Sequence, residues 1–126
     1  MALPSITATG GLIADPELRF LPDGKPMCTG RIACNERKRD ASGNWVDGDP
    51  TFIDFVVFGK PGENLVESCS RGDQVLVHGV LQQREWEKDG EKRTAYSIRA
   101  DTVAVSVLFR PAKPAPKEPA KDDPPW

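Results

Sequence analysis

Apolar residues recur mostly at every second position through residues 1–109, the spacing of strands that bury one face. The clearest run is Phe52-Ile53-Asp54-Phe55-Val56-Val57-Phe58, rich in aromatic and β-branched side chains. Alternation puts Phe52, Asp54, Val56 and Phe58 on one face and Ile53, Phe55 and Val57 on the other. A small barrel has one interior, and the uninterrupted apolar set belongs there, which leaves Phe52 and Phe58 outside. The same logic over residues 75–86 places Val75, Val77 and Leu81 inside and Arg84 and Trp86 outside. Asp89-Gly90 marks a tight hairpin turn, with residues 94–100 returning as the partner strand. Upstream, residues 6–13 and 27–35 read as two more strands joined through Pro22-Asp23-Gly24, and residues 36–50 as a long polar loop. A single stretch, residues 61–71, has helical spacing: Leu65, Val66 and Cys69 fall together and Gly72 supplies the stop. The expectation is therefore an all-β chain of about five strands with a short helix between the third and fourth. That is the element order of a five-stranded OB-fold barrel. An SH3-like barrel is the rival, but it seldom carries a helix there.

Beyond residue 109 the pattern stops. Residues 111–126 hold six prolines and no aliphatic side chain larger than alanine. Such a segment cannot bury enough surface to offset its ordering entropy. Residues 110–121 accordingly read as a disordered Pro/Ala/Lys-rich linker, and the last five residues form a separate tip of two acids and one large aromatic. The organisation expected is a folded domain over 1–109, the linker, and the tip at 122–126.

Composition narrows the function classes. With 126 residues and 38% hydrophobic content there is material for one core. No apolar run reaches the roughly 18 residues of a membrane span, and the N-terminus lacks the basic and apolar regions of a secretory signal. A cytoplasmic, nucleoid-associated location without membrane contact is the expectation. Cys28, Cys34 and Cys69 form neither an even set nor a CxxC, so reduced thiols are expected. Cys28 and Cys34 share one side of a strand as buried thiols, too far apart along it to bond. The one histidine, His78, sits mid-strand, where a sheet-surface or interface role is expected. No metal-ligand set, nucleophile elbow, phosphate loop or dinucleotide fingerprint is present, and Asp15, Asp23, Asp47 and Asp49 are ordinary turn residues. The reading is a non-enzyme with no catalytic residues, metal or cofactor.

Charge changes the picture once more. Lys plus Arg is 17 against 19 Asp plus Glu, a net of −2, whereas a protein gripping duplex phosphates is usually basic. Exposed aromatics beside arginine instead suit a single strand, because every base has a π-face worth roughly 1–3 kcal/mol when stacked. Trp86, Phe52 and Phe58 are the stacking candidates, the plainer alternative being aromatics that close an oligomer interface or roof the core. Arg37-Lys38-Arg39 followed by Trp45 reads either as a mobile clamp on the strand or as a solvated basic run with a folded-back Trp. Asp54 and Glu85 put negative charge on or near the same side and should lower phosphate affinity.

Several stretches, taken in order, resemble the bacterial and phage single-stranded DNA-binding protein family of OB-fold type. They are Asp15-Pro16-Glu17-Leu18-Arg19-Phe20, Phe52-Ile53-Asp54-Phe55-Val56-Val57-Phe58-Gly59-Lys60, Glu63-Asn64-Leu65, Arg71-Gly72-Asp73-Gln74-Val75 and Gly79-Val80-Leu81-Gln82-Gln83-Arg84-Glu85-Trp86. The resemblance covers nearly the whole chain. It implies a homotetramer wrapped by single-stranded DNA, with Trp86, Phe52 and Phe58 stacking on bases and Lys60, Arg71 and Arg84 along the phosphates. On the clamp reading above, which is independent of the resemblance, Trp45 would add stacking and Arg37, Lys38 and Arg39 phosphate contacts. The resemblance also implies service in DNA replication, recombination and repair, with partner proteins of those processes recruited by a C-terminal tip, here Asp122, Asp123, Pro124, Pro125 and Trp126. The tip departs from the family in carrying few acids and Trp where Phe is common, and the linker is brief. Two other readings stand beside this one: an OB-fold protein-interaction adaptor with weak DNA binding, and an RNA-binding module.

Overall fold

The alternating pattern folds as six strands and one helix in a computed structural model that describes residues 2–109 and Pro111. In chain order these are β1 (Ser5–Leu12), β2 (Glu17–Phe20), β3 (Pro26–Arg39), β4 (Trp45–Phe58), α1 (Lys60–Ser68), β5 (Gln74–Lys88) and β6 (Glu91–Val105). The linker read over 110–121, Pro111 apart, and the tip Asp122, Asp123, Pro124, Pro125 and Trp126 lie outside the described residues.

The strands run β1-β5-β6-β4-β3-β2 across one sheet, and a second pairing of β1 with β3 closes the sheet on itself. Closure leaves five strands around one interior, with β2 added at the rim, and the fold is the expected OB-fold. All neighbours are antiparallel except β4 and β6. The inward face is the apolar one: Phe55, Val57, Val75, Val77 and Ile98 are buried together, with Leu81 half-buried at the end of the series. Gly30 lies opposite Phe55, and a methyl group there would stand 2.5 Å from its ring, so only glycine leaves space for that ring.

The helix, between β4 and β5, is the one expected between the third and fourth strands. Pro61 lies in its first turn, where the missing N–H is no loss. Leu65 and Cys69 are buried with the core residues, so the helix and its cap contribute to the same apolar cluster. It ends at Ser68 rather than at Arg71, because Cys69 is already extended, its N–H donating to the Leu65 carbonyl at 2.9 Å.

Three expectations need correction. The stretch read as a long loop, 36–50, is a β-hairpin: β3 continues to Arg39 and β4 begins at Trp45. Its ladder slips between Asn35 and Arg37, where β4 carries the extra residue beside Pro50, which cannot donate to a ladder. Beyond the barrel this arm is exposed on both faces, so no alternation marks it. An additional short strand, β2, pairs with β3, and the Pro22-Asp23-Gly24 turn joins these two rather than β1 and β3. Finally, Cys34 is only half-buried, whereas Cys28 and Cys69 are buried. The Asp89-Gly90 turn stands as read, both residues having positive φ, and β5 and β6 run on to meet it as a second exposed arm.

Candidate nucleic-acid interface

Pairing register assembles the outer face. Met27, Thr29, Arg31 and Ala33 of β3 lie opposite Phe58, Val56, Asp54 and Phe52 of β4. Across the parallel β4–β6 ladder, Asp54 and Val56 pair with Ser97 and Arg99, and β6 carries the face onward to Gln82, Arg84 and Trp86 of β5. Four strands thus present one continuous surface outside the barrel. It contains an open groove of about 700 Å³ whose lining includes Arg31, Asp54, Phe58, Arg84 and Tyr96.

The aromatics on this surface carry cations. Phe58 has Lys25 Nζ at 5.4 Å and the Arg99 guanidinium at 5.5 Å from its ring centre. The Arg84 guanidinium lies 5.1 Å from Trp86, and that of Arg39 4.9 Å from Trp45 on the β3–β4 arm. These are cation–π distances, worth up to about 1 kcal/mol at exposed sites. Each holds a positive group beside a flat apolar ring, the pairing that a base and its phosphate require. Trp86 is 40% exposed, Phe52 56% and Trp45 57%, so each has ring area to offer.

Ion pairs tie up other cations. Arg31 grips Asp54 through two bonds, Nε to Oδ1 at 2.5 Å and Nη2 to Oδ2 at 3.2 Å, in the groove itself. The carboxylate's hydrogen bond and charge raise the Arg31 pKa, so this guanidinium stays protonated. Arg37 pairs with Asp47 at 3.3 Å, Lys38 with Glu36 at 3.8 Å and Lys60 with Glu63 at 3.5 Å.

The sequence candidates therefore separate. Phe58 and Arg84 line the groove, Trp86 lies on the same face two residues beyond Arg84, and Phe52 lies further along β4. Trp45 is not in a loop but paired with Arg39 across the arm, which also carries Arg37 and Lys38. Lys60 opens α1, and Arg71 follows that helix with its backbone N–H donating to Asp15 Oδ1 at 2.8 Å; neither lines the groove. Glu85 alternates to the side of β5 opposite Trp86 and accepts a bond from Gln83, which removes it from the face where Asp54 sits. His78 is a sheet residue hydrogen-bonded to Thr7 across β1 and β5, 2.8 Å from Nδ1 to the hydroxyl.

Sequence reasoning passed over Lys25, Arg31, Arg99 and Tyr96. For Arg31 and Arg99 the signal was available, since both occupy outward positions of alternating strands beside buried Ile32 and Ile98. Lys25 was hidden because it reaches Phe58 from the turn between β2 and β3.

Comparison with known proteins agrees with this geometry. The model of the "Single-strand binding protein family" matches residues 3–106. Proteins named single-stranded DNA-binding protein are similar in Corynebacterium glutamicum, 41% identical over 86% of this chain and 49% of the relative, and in Mycolicibacterium smegmatis, 40% identical over 86% and 67%. This chain thus spans about half of the first and two thirds of the second. The crystal structure of a small single-stranded DNA-binding protein from Streptomyces coelicolor superposes with a TM-score of 0.75 at 28% identity, over 85% of this chain and 97% of that one. A barrel closed through β1 and β3, an outer face of cation-bearing aromatics, and a family match across the whole barrel lead to one assignment: the chain belongs to the single-strand binding protein family.

Proposed function

We propose that this chain binds single-stranded DNA with little sequence preference, as a homotetramer, and shields strands exposed in replication, recombination and repair. The observation that carries the reading is the outer face, where the half-buried Phe58 of the groove and the exposed Trp86 and arm residue Trp45 each hold a cation against the ring. A base arriving at such a ring takes the place of the cation, which turns to the phosphate beside it. Stacking then supplies sequence-tolerant affinity and the basic groups release counterions. Phe52 extends the stacking surface along β4, and Arg84 is the foremost phosphate contact. Lys60, Arg71, Arg37, Lys38 and Arg39 are outlying ones, reached where the strand leaves the groove. Assembly is supported by β1, whose residues 5–10 pair with β5 on one side only and offer a free backbone edge to a second copy. The acids and terminal aromatic of Asp122, Asp123, Pro124, Pro125 and Trp126 suit a short motif that recruits partner proteins.

The test is a tryptophan-fluorescence titration of the Trp126→Phe chain with a long thymidine oligomer and a matching duplex. Quenching by the single strand alone is expected, with affinity reduced about tenfold or more in Trp86→Ala. Equal response to the duplex, or an unchanged titration in Trp86→Ala, defeats the stacking mechanism. In a chain ending at residue 121 strand binding persists; its loss would move the activity into the tip.

A further inference from the structure

The Arg31–Asp54 pair is out of place on a surface that receives a polyanion. Asp54 stands on the outer face of β4 between the outward-facing Phe52 and Phe58, and it lines the groove. A carboxylate there repels phosphate. It also occupies the Nε and Nη2 edge of Arg31, the fork by which a guanidinium takes a carboxylate or a phosphate in the same planar, two-bond geometry. The pair has no structural duty that requires it: both side chains are solvent-exposed, at 53% and 38%, and an alternating strand needs no charge on its outer side. Arg31 is set opposite Asp54 by the β3–β4 register rather than by burial, so its guanidinium can turn away from Asp54 without disturbing the core.

We propose that Asp54 is a built-in competitor for the phosphate of the bound strand, and that Arg31 is a phosphate-binding residue masked by it. This deepens the single-strand reading above and rests on it. Asp54 imitates the ligand's anion, so the strand must displace it to gain Arg31. The pair thereby lowers affinity and weakens salt dependence together, favouring a strand that can be released. Any partner or modification that drew Asp54 away would tighten the grip of the face.

Asp54→Asn tests this in the full chain, by titration with a thymidine oligomer across a salt series. The variant should bind about three- to fivefold tighter, the scale of an exposed ion pair. Its slope of log affinity against log salt should steepen by about 0.7, the share of one phosphate on a single strand. Adding Arg31→Gln should abolish both gains, while adding Arg19→Gln, which removes the same charge from an exposed residue paired with Glu17, should leave them. An Asp54→Asn protein no tighter than wild type overturns the proposal. So does a gain that survives Arg31→Gln, because Asp54 would then act by diffuse repulsion alone. A wild-type protein that fails to bind the oligomer overturns the single-strand reading itself, a result distinguishable from variants that merely fail to differ. Both positions lie outside the core, and equal thermal midpoints will show that folding is unaltered.

Discussion

At the scale of single residues, burial and charge act on side chains of the same strand in opposite directions. Cys28 and Ile32 on β3 are sealed inside the barrel, while Arg31 between them projects into solvent. Burial pushes the thiols of Cys28, Cys34 and Cys69 above the ordinary range, the nearby charge of Asp73 adding to the effect at Cys69. The neutral thiol is the favoured native form. As pH rises the unfolded chain therefore loses these protons first, so the thiol contribution to stability is complete below about 8.5 and falls away as pH climbs through the raised native values. Iodoacetamide at pH 8 should accordingly label Cys28 and Cys69 far more slowly in the folded protein than in urea. Equal rates would mean that the barrel opens around them. The inward set was legible because alternation is a hydrophobic signal. The outward set was legible only where an aromatic drew attention to it, which is why Trp86 was found and Arg99 was not.

At the scale of elements, the barrel strands were readable and the arms were not. Alternation exists only where one face is buried, and residues 36–49 and 83–95 are exposed almost throughout. A hairpin that projects into solvent therefore has the composition of a loop, and Gly48 and Pro50 are residue types depleted in strands. What holds the β3–β4 arm is backbone pairing, the Asp40 carboxylate accepting the N–H groups of Ser42 and Asn44 at 2.9 Å each, and the Arg39–Trp45 stack across its end. None of this reaches the core. Trp45→Ala should thus change stability by no more than about 0.5 kcal/mol, the usual range for a surface position. It should nevertheless weaken binding of an oligomer long enough to reach the arm, with no effect on a short one confined to the groove. Thermal melts beside titrations with two oligomer lengths will decide, and a large loss of stability would show that the arm packs on the barrel after all.

At the scale of the whole molecule, the sign of the charge argues against a nucleic-acid partner and its distribution argues for one. Residues 1–109 hold 13 basic and 16 acidic side chains. Six of the basic groups, Arg19, Arg31, Arg37, Lys38, Lys60 and Arg93, are engaged in ion pairs. Four of the remaining seven, Lys25, Arg39, Arg84 and Arg99, are the cations that stand over aromatic rings. Carboxylates thus neutralise much of the surface and leave free positive charge where stacking can occur, so an acidic domain can present a basic path. If these four carry the phosphate contacts of a strand too short to reach the outlying Lys60, Arg71, Arg37 and Lys38, log affinity should fall against log salt with a slope of about −3 per protomer, at roughly 0.7 per phosphate. The measurement is a salt series with an oligomer matched to one protomer. A slope near zero would leave stacking alone to hold the strand. A slope steeper than about −6 would mean that the ion-paired arginines and lysines abandon their carboxylates when DNA arrives, and that the masking proposed for Arg31 does not survive binding.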